Sequence, residues 1–200
     1  MKHIALLTCV CGLMLLGSCK NQSAQNEQPL EVMTFNVRLD APSDSANNWK
    51  YRKDNVCQMI TYYQPDLLGM QEVRHNQMED LKQGLPQYTA LGVGRDDGKE
   101  AGEYCPIFFN SHRFTLVEYG NFSLSEQPET IGIKGWDASY NRITTWAILQ
   151  EKSNGKKLVF FNTHLDNDGE IARKEVGSEM CIRDSVKGGS HYVRSILVFP

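Results

Sequence analysis

Pro65-Asp66-Leu67-Leu68-Gly69-Met70-Gln71-Glu72-Val73 is the stretch on which the reading of this chain turns. Its short, unbroken apolar run is too brief for a helix and has the pattern of a strand buried on both faces, so a core strand is predicted over Asp66 to Glu72. Glu72 then stands where that strand leaves the core, a place suited to a carboxylate holding a divalent cation. The plainer alternative is a solvated acid that opens a turn.

Upstream, Leu30 to Val37 (LEVMTFNV) alternates Met33, Phe35 and Val37, which predicts a second inner strand. Asn36 lies one residue from its end, and its side-chain oxygen suits the same ion, because hard cations such as Mg²⁺ prefer oxygen ligands. Between the two strands, Trp49, Val56, Met59, Ile60 and Tyr63 fall at helical spacing, and Pro65 stops that helix. Downstream, a short amphipathic helix is expected at His75 to Gln83, a strand at Tyr88 to Val93, and a polar, glycine-bearing loop from Gly94 to Gly102. Short β segments follow at Tyr104 to Phe109, Arg113 to Glu118 and Asn121 to Leu124. Two longer ones, Arg142 to Gln150 and Lys157 to Thr163, are joined through Ser153-Asn154-Gly155, a strong hairpin signal. Strands separated alternately by helices and hairpins predict an α+β body of stacked sheets with helices outside.

The last of these strands ends in a cluster of polar groups. Asn162, Thr163, His164 and Asp166 follow the apolar Leu158-Val159-Phe160-Phe161. A histidine there can donate to a phosphate oxygen or protonate a leaving group; the alternative is one satisfied by Thr163 or a backbone carbonyl. A calcium loop competes for the same segment, since Asp166, Asp168, Gly169 and Glu175 take the third, fifth, sixth and twelfth EF-hand positions. It fails at the first position, which is His164, and a β run precedes it where a helix is required.

The 200 residues, 40% hydrophobic and 22% charged, are those of an ordinary globular domain. The start does not belong to it. Met1-Lys2-His3 and the apolar Ile4 to Leu16 form a signal sequence over residues 1–18, too short to span a membrane. Leu16-Gly17-Ser18-Cys19 has the form of a lipobox, so lipidation of Cys19, a polar tether over 19–29 and export to a bacterial cell envelope are expected; the alternative is a plain secretory signal. Without Lys2 the chain keeps 20 basic against 24 acidic residues, a formal charge of −4, so a basic nucleic-acid footprint is absent. Cys57, Cys105 and Cys181 are the cysteines left over, which do not make a disulfide framework.

Taken in order, TFNVR (34–38), Trp49 with Arg52, PDLLGMQEV (65–73), GVGRDDGKEAGEY (92–104), KGWDASYNRITTWA (134–147) and NTHLDNDGEIAR (162–173) resemble the endonuclease/exonuclease/phosphatase superfamily. That superfamily includes nucleases similar to pancreatic deoxyribonuclease, inositol polyphosphate phosphatases and bacterial sphingomyelinases. The resemblance implies a four-layer α/β sandwich like that of the deoxyribonuclease, with a domain over residues 30–176. It implies that Asn36 and Glu72 bind a catalytic Mg²⁺, with Mn²⁺ as a substitute, and that His164 contacts the scissile phosphate. Arg142 would be a second phosphate contact, with Asn162 and Tyr104 as further substrate contacts. The implied chemistry is attack of an activated water on a phosphodiester or phosphomonoester. The alternative is a catalytically dead surface lipoprotein that binds a glycan or protein on the same scaffold, since fold alone does not fix function.

Two later motifs of the family, Gly-Asp-x-Asn and Ser-Asp-His, do not occur. Gly189-Ser190-His191-Tyr192 lacks the aspartate, and Ser178-Glu179-Met180-Cys181-Ile182-Arg183-Asp184-Ser185 resembles a translated sequencing adapter. Residues 177–200 are therefore expected to be non-native or divergent, and the sandwich to be cut short after its first two thirds or so.

Overall fold

The computed structural model describes residues 29–176. The expected signal sequence, the lipidation site Cys19, the tether up to residue 28 and the tail from 177 onward lie outside the described residues.

The elements run β1 (Val32–Asn36), a 3-10 turn (Pro42–Asn47), α1 (Trp49–Tyr63), β2 (Leu67–Gln71), α2 (His75–Gly84), β3 (Tyr88–Leu91), β4 (Ile107–Asn110), β5 (Phe114–Ser123), β6 (Ile143–Glu151) and β7 (Lys157–Thr163). Residues 170–176 are again helical. The strands form two sheets, ordered β1-β2-β4-β3 and β5-β6-β7. Strands β1 and β2 run parallel, joined by α1 as the crossover; the remaining pairs are antiparallel. α1 ends where Gln64 turns left-handed (φ 48°) and its N–H closes on the Ile60 carbonyl. Pro65 has no N–H with which to continue.

The alternation of side chains along the strands builds three cores. Leu68, Met70 and Phe108 face outward from the first sheet onto Trp49, Val56 and Ile60 of α1 and Met78 and Leu81 of α2. Leu67, Ile107 and Phe109 face the other way, onto Ala147, Leu149 and Phe160 of the second sheet. On the far side of that sheet, Phe122, Ile148, Val159 and Phe161 meet Leu165 and Val176, so residues 170–176 begin the outer helical layer. Helices, sheet, sheet and the start of a further helix make the expected four-layer α/β sandwich. β2 is buried along its whole length, as its apolar run predicts.

Where two segments were expected at Arg113 to Glu118 and Asn121 to Leu124, there is one ten-residue strand, β5. Its pairing with β6 slips by one residue between Leu116 and Glu118, leaving Val117 out of register. Such a slip breaks the period-two pattern, so a continuous strand reads as two.

The sheets are joined by a polar bridge. The side chain of Asn162 on β7, 1% exposed, donates from Nδ2 to the carbonyls of Met70 (2.7 Å) and Pro106 (2.8 Å), while its Oδ1 accepts from Gln71 Nε2 (2.8 Å). Gly69 makes room for it: a Cβ at that position would lie 2.6 Å from Asn162 Oδ1. Gly69→Ala is therefore expected to lower stability by about 1–3 kcal/mol, the usual cost of overpacking a close-packed interior. A shifted urea midpoint measures it; an unmoved midpoint means that the bridge can yield.

Candidate active site

Because β1 and β2 are parallel, with Asn36 opposite Gln71, their C-terminal ends open on the same edge of the sheet. Asn36 Nδ2 donates to Glu72 Oε1 (2.6 Å), and the Leu39 N–H donates to Glu72 Oε2 (3.1 Å). Asn36 Oδ1 accepts from the Arg38 N–H (2.9 Å). Both chains leave their strands through left-handed backbone, φ 60° at Arg38 and φ 61° at Glu72. Such conformations cost on the order of 1–3 kcal/mol in a non-glycine residue and persist where the surroundings over-determine them, often at functional sites.

The surroundings here are specific. Gln77 of α2, fully buried, accepts from the N–H groups of Asp40 and Arg74 and donates to the Arg38 carbonyl, each at 3.0 Å. Arg52 of α1 reaches the carbonyls of Asn47 (2.6 Å), Val37 (2.7 Å) and Arg38 (3.1 Å). The two helices thus hold the loop after β1 against Glu72.

From the second sheet come His164, which follows β7, and Arg142, which precedes β6. Glu72, His164 and Arg142 line one cleft of ≈ 620 Å³, together with Arg74, Arg95, Asp96, Glu103, Lys134, Tyr140, Asn141 and Asn167. His164 Nδ1 is buried with no hydrogen-bond partner among the described residues. Burial, and after it the Arg142 guanidinium, holds the imidazole pKa below its ordinary 6.5, against an upward pull from Glu72. The ring is therefore neutral at pH 7 and able to accept or donate a single proton.

Arg142 is 5% exposed and donates from Nε to Asp166 Oδ2 (3.1 Å) and from Nη2 to Asn167 Oδ1 (3.1 Å). Asp166 organises this wall of the cleft. It also accepts from the N–H groups of Ser139 (3.1 Å), Tyr140 (3.3 Å), Asp168 (3.0 Å) and Gly169 (2.8 Å). Burial alone would raise its pKa, but these N–H donors and Arg142 outweigh burial and hold the carboxylate well below its usual range. An oxygen pair so fully engaged by donors is no calcium ligand, and β7 precedes it, so the EF-hand reading of Asp166 and Asp168 falls.

Two of the sequence-predicted contacts lie elsewhere. Asn162 does not line the cleft; its amide is spent on the bridge between the sheets. Tyr104 is 4% exposed, and its hydroxyl meets His75 Nδ1 (3.0 Å) and donates to the Lys99 carbonyl (3.0 Å), which ties down the loop beside the cleft. Conversely, sequence reasoning assigned nothing to Arg95, Tyr140, Asn141 or Asn167. Arg95 forms a two-pronged pair with Glu103 (2.9 and 3.0 Å) and lies 5.4 Å from the ring centre of Tyr140, which Arg142 approaches to 5.7 Å. All four fall inside the quoted 92–104, 134–147 and 162–173 segments, but as loop residues with no periodicity to mark their direction.

The donor set suits a hard divalent cation. Glu72 offers a carboxylate and Asn36 an amide oxygen with a second lone pair. Among the described residues no three His, Cys, Asp or Glu side chains form a metal-binding group; a Mg²⁺ ion keeps several waters and takes one or two protein carboxylates. Among the described residues, burial pushes the Cys105 thiol up to about 12 and raises Cys57 as well, so neither is an ionised ligand near neutral pH.

Residues 33–176 match the model of the Endonuclease/Exonuclease/phosphatase family. A solved endonuclease/exonuclease/phosphatase from Bacteroides vulgatus is 48% identical, with a TM-score of 0.75 over 78% of this chain and 59% of that one. A mannosyl-6-phosphatase from Bacteroides thetaiotaomicron is 40% identical, with a TM-score of 0.72 over 80% and 59% of the two chains. Among curated proteins, the exoribonuclease subunit Ccr4 of the Mycosarcoma maydis CCR4-Not complex is 25% identical over 90% of this chain and 31% of its own length. The chain thus spans 59% of these two solved relatives and 31% of that curated one.

Removing the Asp166 carboxylate should loosen the cleft wall. Asp166→Ala is expected to cost about 3–5 kcal/mol, because Arg142 is left buried without its partner. Since the folded pKa of Asp166 is depressed, its contribution is present above the unfolded value near 3.8 and is lost as pH falls through the folded one. Denaturation of both proteins at pH 7 and pH 2.5 measures this: the gap between them should narrow at the lower pH, and a constant gap would contradict the assignment.

Proposed function

Because this chain belongs to the endonuclease/exonuclease/phosphatase family, we propose that it is the substrate-binding and metal-binding part of a Mg²⁺-dependent hydrolase of a sugar phosphomonoester. The observation that carries the reading is the meeting of Glu72 from the first sheet with His164 and Arg142 from the second in one cleft, with Asn36 hydrogen-bonded to Glu72 behind it. A Mg²⁺ or Mn²⁺ ion held by Glu72 and Asn36 would polarise a phosphoryl oxygen and stabilise charge on the leaving group. Arg142, fixed by Asp166, presents its guanidinium to a phosphate oxygen. His164, neutral and lining the cleft, would donate to the phosphate or steady the charge developing on it.

The monoester reading has separate support. A cleft of ≈ 620 Å³ is on the scale of one small ligand. Asp96, Asn141 and Asn167 offer the planar polar groups that hydroxyls require, beside the Tyr140 ring, which is 53% exposed. A relative of 40% identity is a mannosyl-6-phosphatase, and the acidic balance counts against nonspecific nucleic-acid binding. The retained acid, amide, histidine and arginine argue against the dead-scaffold alternative.

The complete protein should hydrolyse a hexose 6-phosphate, stop on chelation and recover with Mg²⁺. Glu72→Gln should lower kcat by about 10²–10³, the scale of removing one preorganised electrostatic group. Tyr140→Ala should raise KM for the hexose ester and leave hydrolysis of methyl phosphate nearly unchanged. Cleavage of an oligoribonucleotide but not of the hexose ester would overturn the substrate, and unchanged turnover of Glu72→Gln would overturn the metal role.

A further inference from the structure

The end of the fold opposite the cleft carries a second surface. β1 and β2 begin there, as does the β6–β7 hairpin turn, and α1 finishes there. Arg113 ties these points together: its guanidinium meets the carbonyl of Pro29 (2.9 Å), the carboxylate of Asp66 (2.5 Å) and that of Glu151 (2.7 Å). The described chain therefore starts at this end, three residues in sequence from the end of α1 at Asp66 and beside the hairpin turn at Glu151.

The exposed groups around this knot include two aromatic rings and basic side chains. Tyr62 and Tyr63, the last two residues of α1, are 81% and 62% exposed and stack edge to face at 5.1 Å. The pair makes a contiguous aromatic patch at this end. Lys152 and Lys157 flank the hairpin turn, both exposed, and Lys152 Nζ is steered over the neighbouring turn by the Ser111 carbonyl (2.7 Å). His112 is exposed in that neighbouring turn, and Glu31 is an exposed carboxylate at the same end.

We propose that this end is a membrane-contact face that rests on anionic lipid headgroups, with Tyr62 and Tyr63 in the interface and Lys152 and Lys157 on the headgroup charges. The proposal rests on lipidation of Cys19, not on the hydrolase reading. Ten peptide links separate Cys19 from Pro29, a reach of about 35 Å fully extended and about 17 Å when relaxed. So short a tether keeps this end near the bilayer, where a weak patch is made effective by its high local concentration. Tyrosine is enriched at such interfaces, where one end of the ring is apolar and the other wet. Since the lipid already anchors the chain, the patch sets orientation: the cleft, at the far ends of β1, β2 and β7, faces away from the membrane toward soluble substrate.

The test places a fluorophore at Tyr62→Cys or, near the cleft, at Glu100→Cys, in the complete lipidated protein with Cys57→Ser. The proteins are reconstituted in vesicles of phosphatidylglycerol with phosphatidylcholine that carry a headgroup-depth quencher. The position-62 label should be quenched several-fold more than the position-100 label, and Lys152→Glu with Lys157→Glu should reduce that difference. Equal quenching at the two positions, indifference to charge reversal, or a protein that does not stay on the vesicles overturns the proposal. Sugar-phosphate hydrolysis measured on the same vesicles reports the separate catalytic reading, which can fail without moving the quenching.

Discussion

The fold depends on one buried amide. Asn162 reaches from the second sheet into the first and saturates itself on two main-chain carbonyls and Gln71, so the sheets are held in register by directional bonds as well as by apolar contact. A buried amide without those partners would cost a few kcal/mol, which penalises any sliding of one sheet over the other. That matters because the cleft is shared. Glu72 and Asn36 belong to one sheet, His164 and Arg142 to the other, and His164 is two residues along the same strand end from Asn162. The bridge that joins the sheets therefore also sets the spacing across the site.

Around it, the helices serve the cleft as well as cover the core. Gln77 and Arg52 satisfy the main chain of residues 37–40 with side-chain bonds, and this holds left-handed backbone at Arg38 beside that at Glu72. Asp166 does the corresponding work on the opposite wall. In both places polar side chains replace a regular ladder and fix irregular backbone, which is how a loop can present functional groups with the precision of a strand.

What was legible in the sequence followed from periodicity and from ordered motifs. The α1 boundaries, β7 and the fully buried β2 could be read because apolar spacing and Pro65 act locally. The β5 slip at Val117 could not, since it is a property of pairing with β6 and leaves no local mark. Glu72, Asn36, His164 and Arg142 stand at strand ends, where a strand reading puts them near an edge. Asn162 stands there too, but its direction is set by the strand's alternation: it shares a face with Phe160, toward the other sheet, while the chain carries His164 on past the strand end. Tyr140 and Arg95 were hidden because their loop conformations are dictated by Asp166, Asn141 and Glu103, all tertiary partners.

The charges of the cleft bear on what enters it. Arg95 and Arg142 each face a carboxylate held close, Glu103 and Asp166, so neither adds much long-range positive field. What the pairing supplies is position. A guanidinium braced by an acid keeps its fork rigid and loses little freedom when a phosphate docks. On the proposed reading, two such braced groups against an exposed tyrosine would receive a compact ligand carrying one phosphate and a ring, whereas an extended chain of many phosphates would draw its affinity from unpaired lysines and arginines.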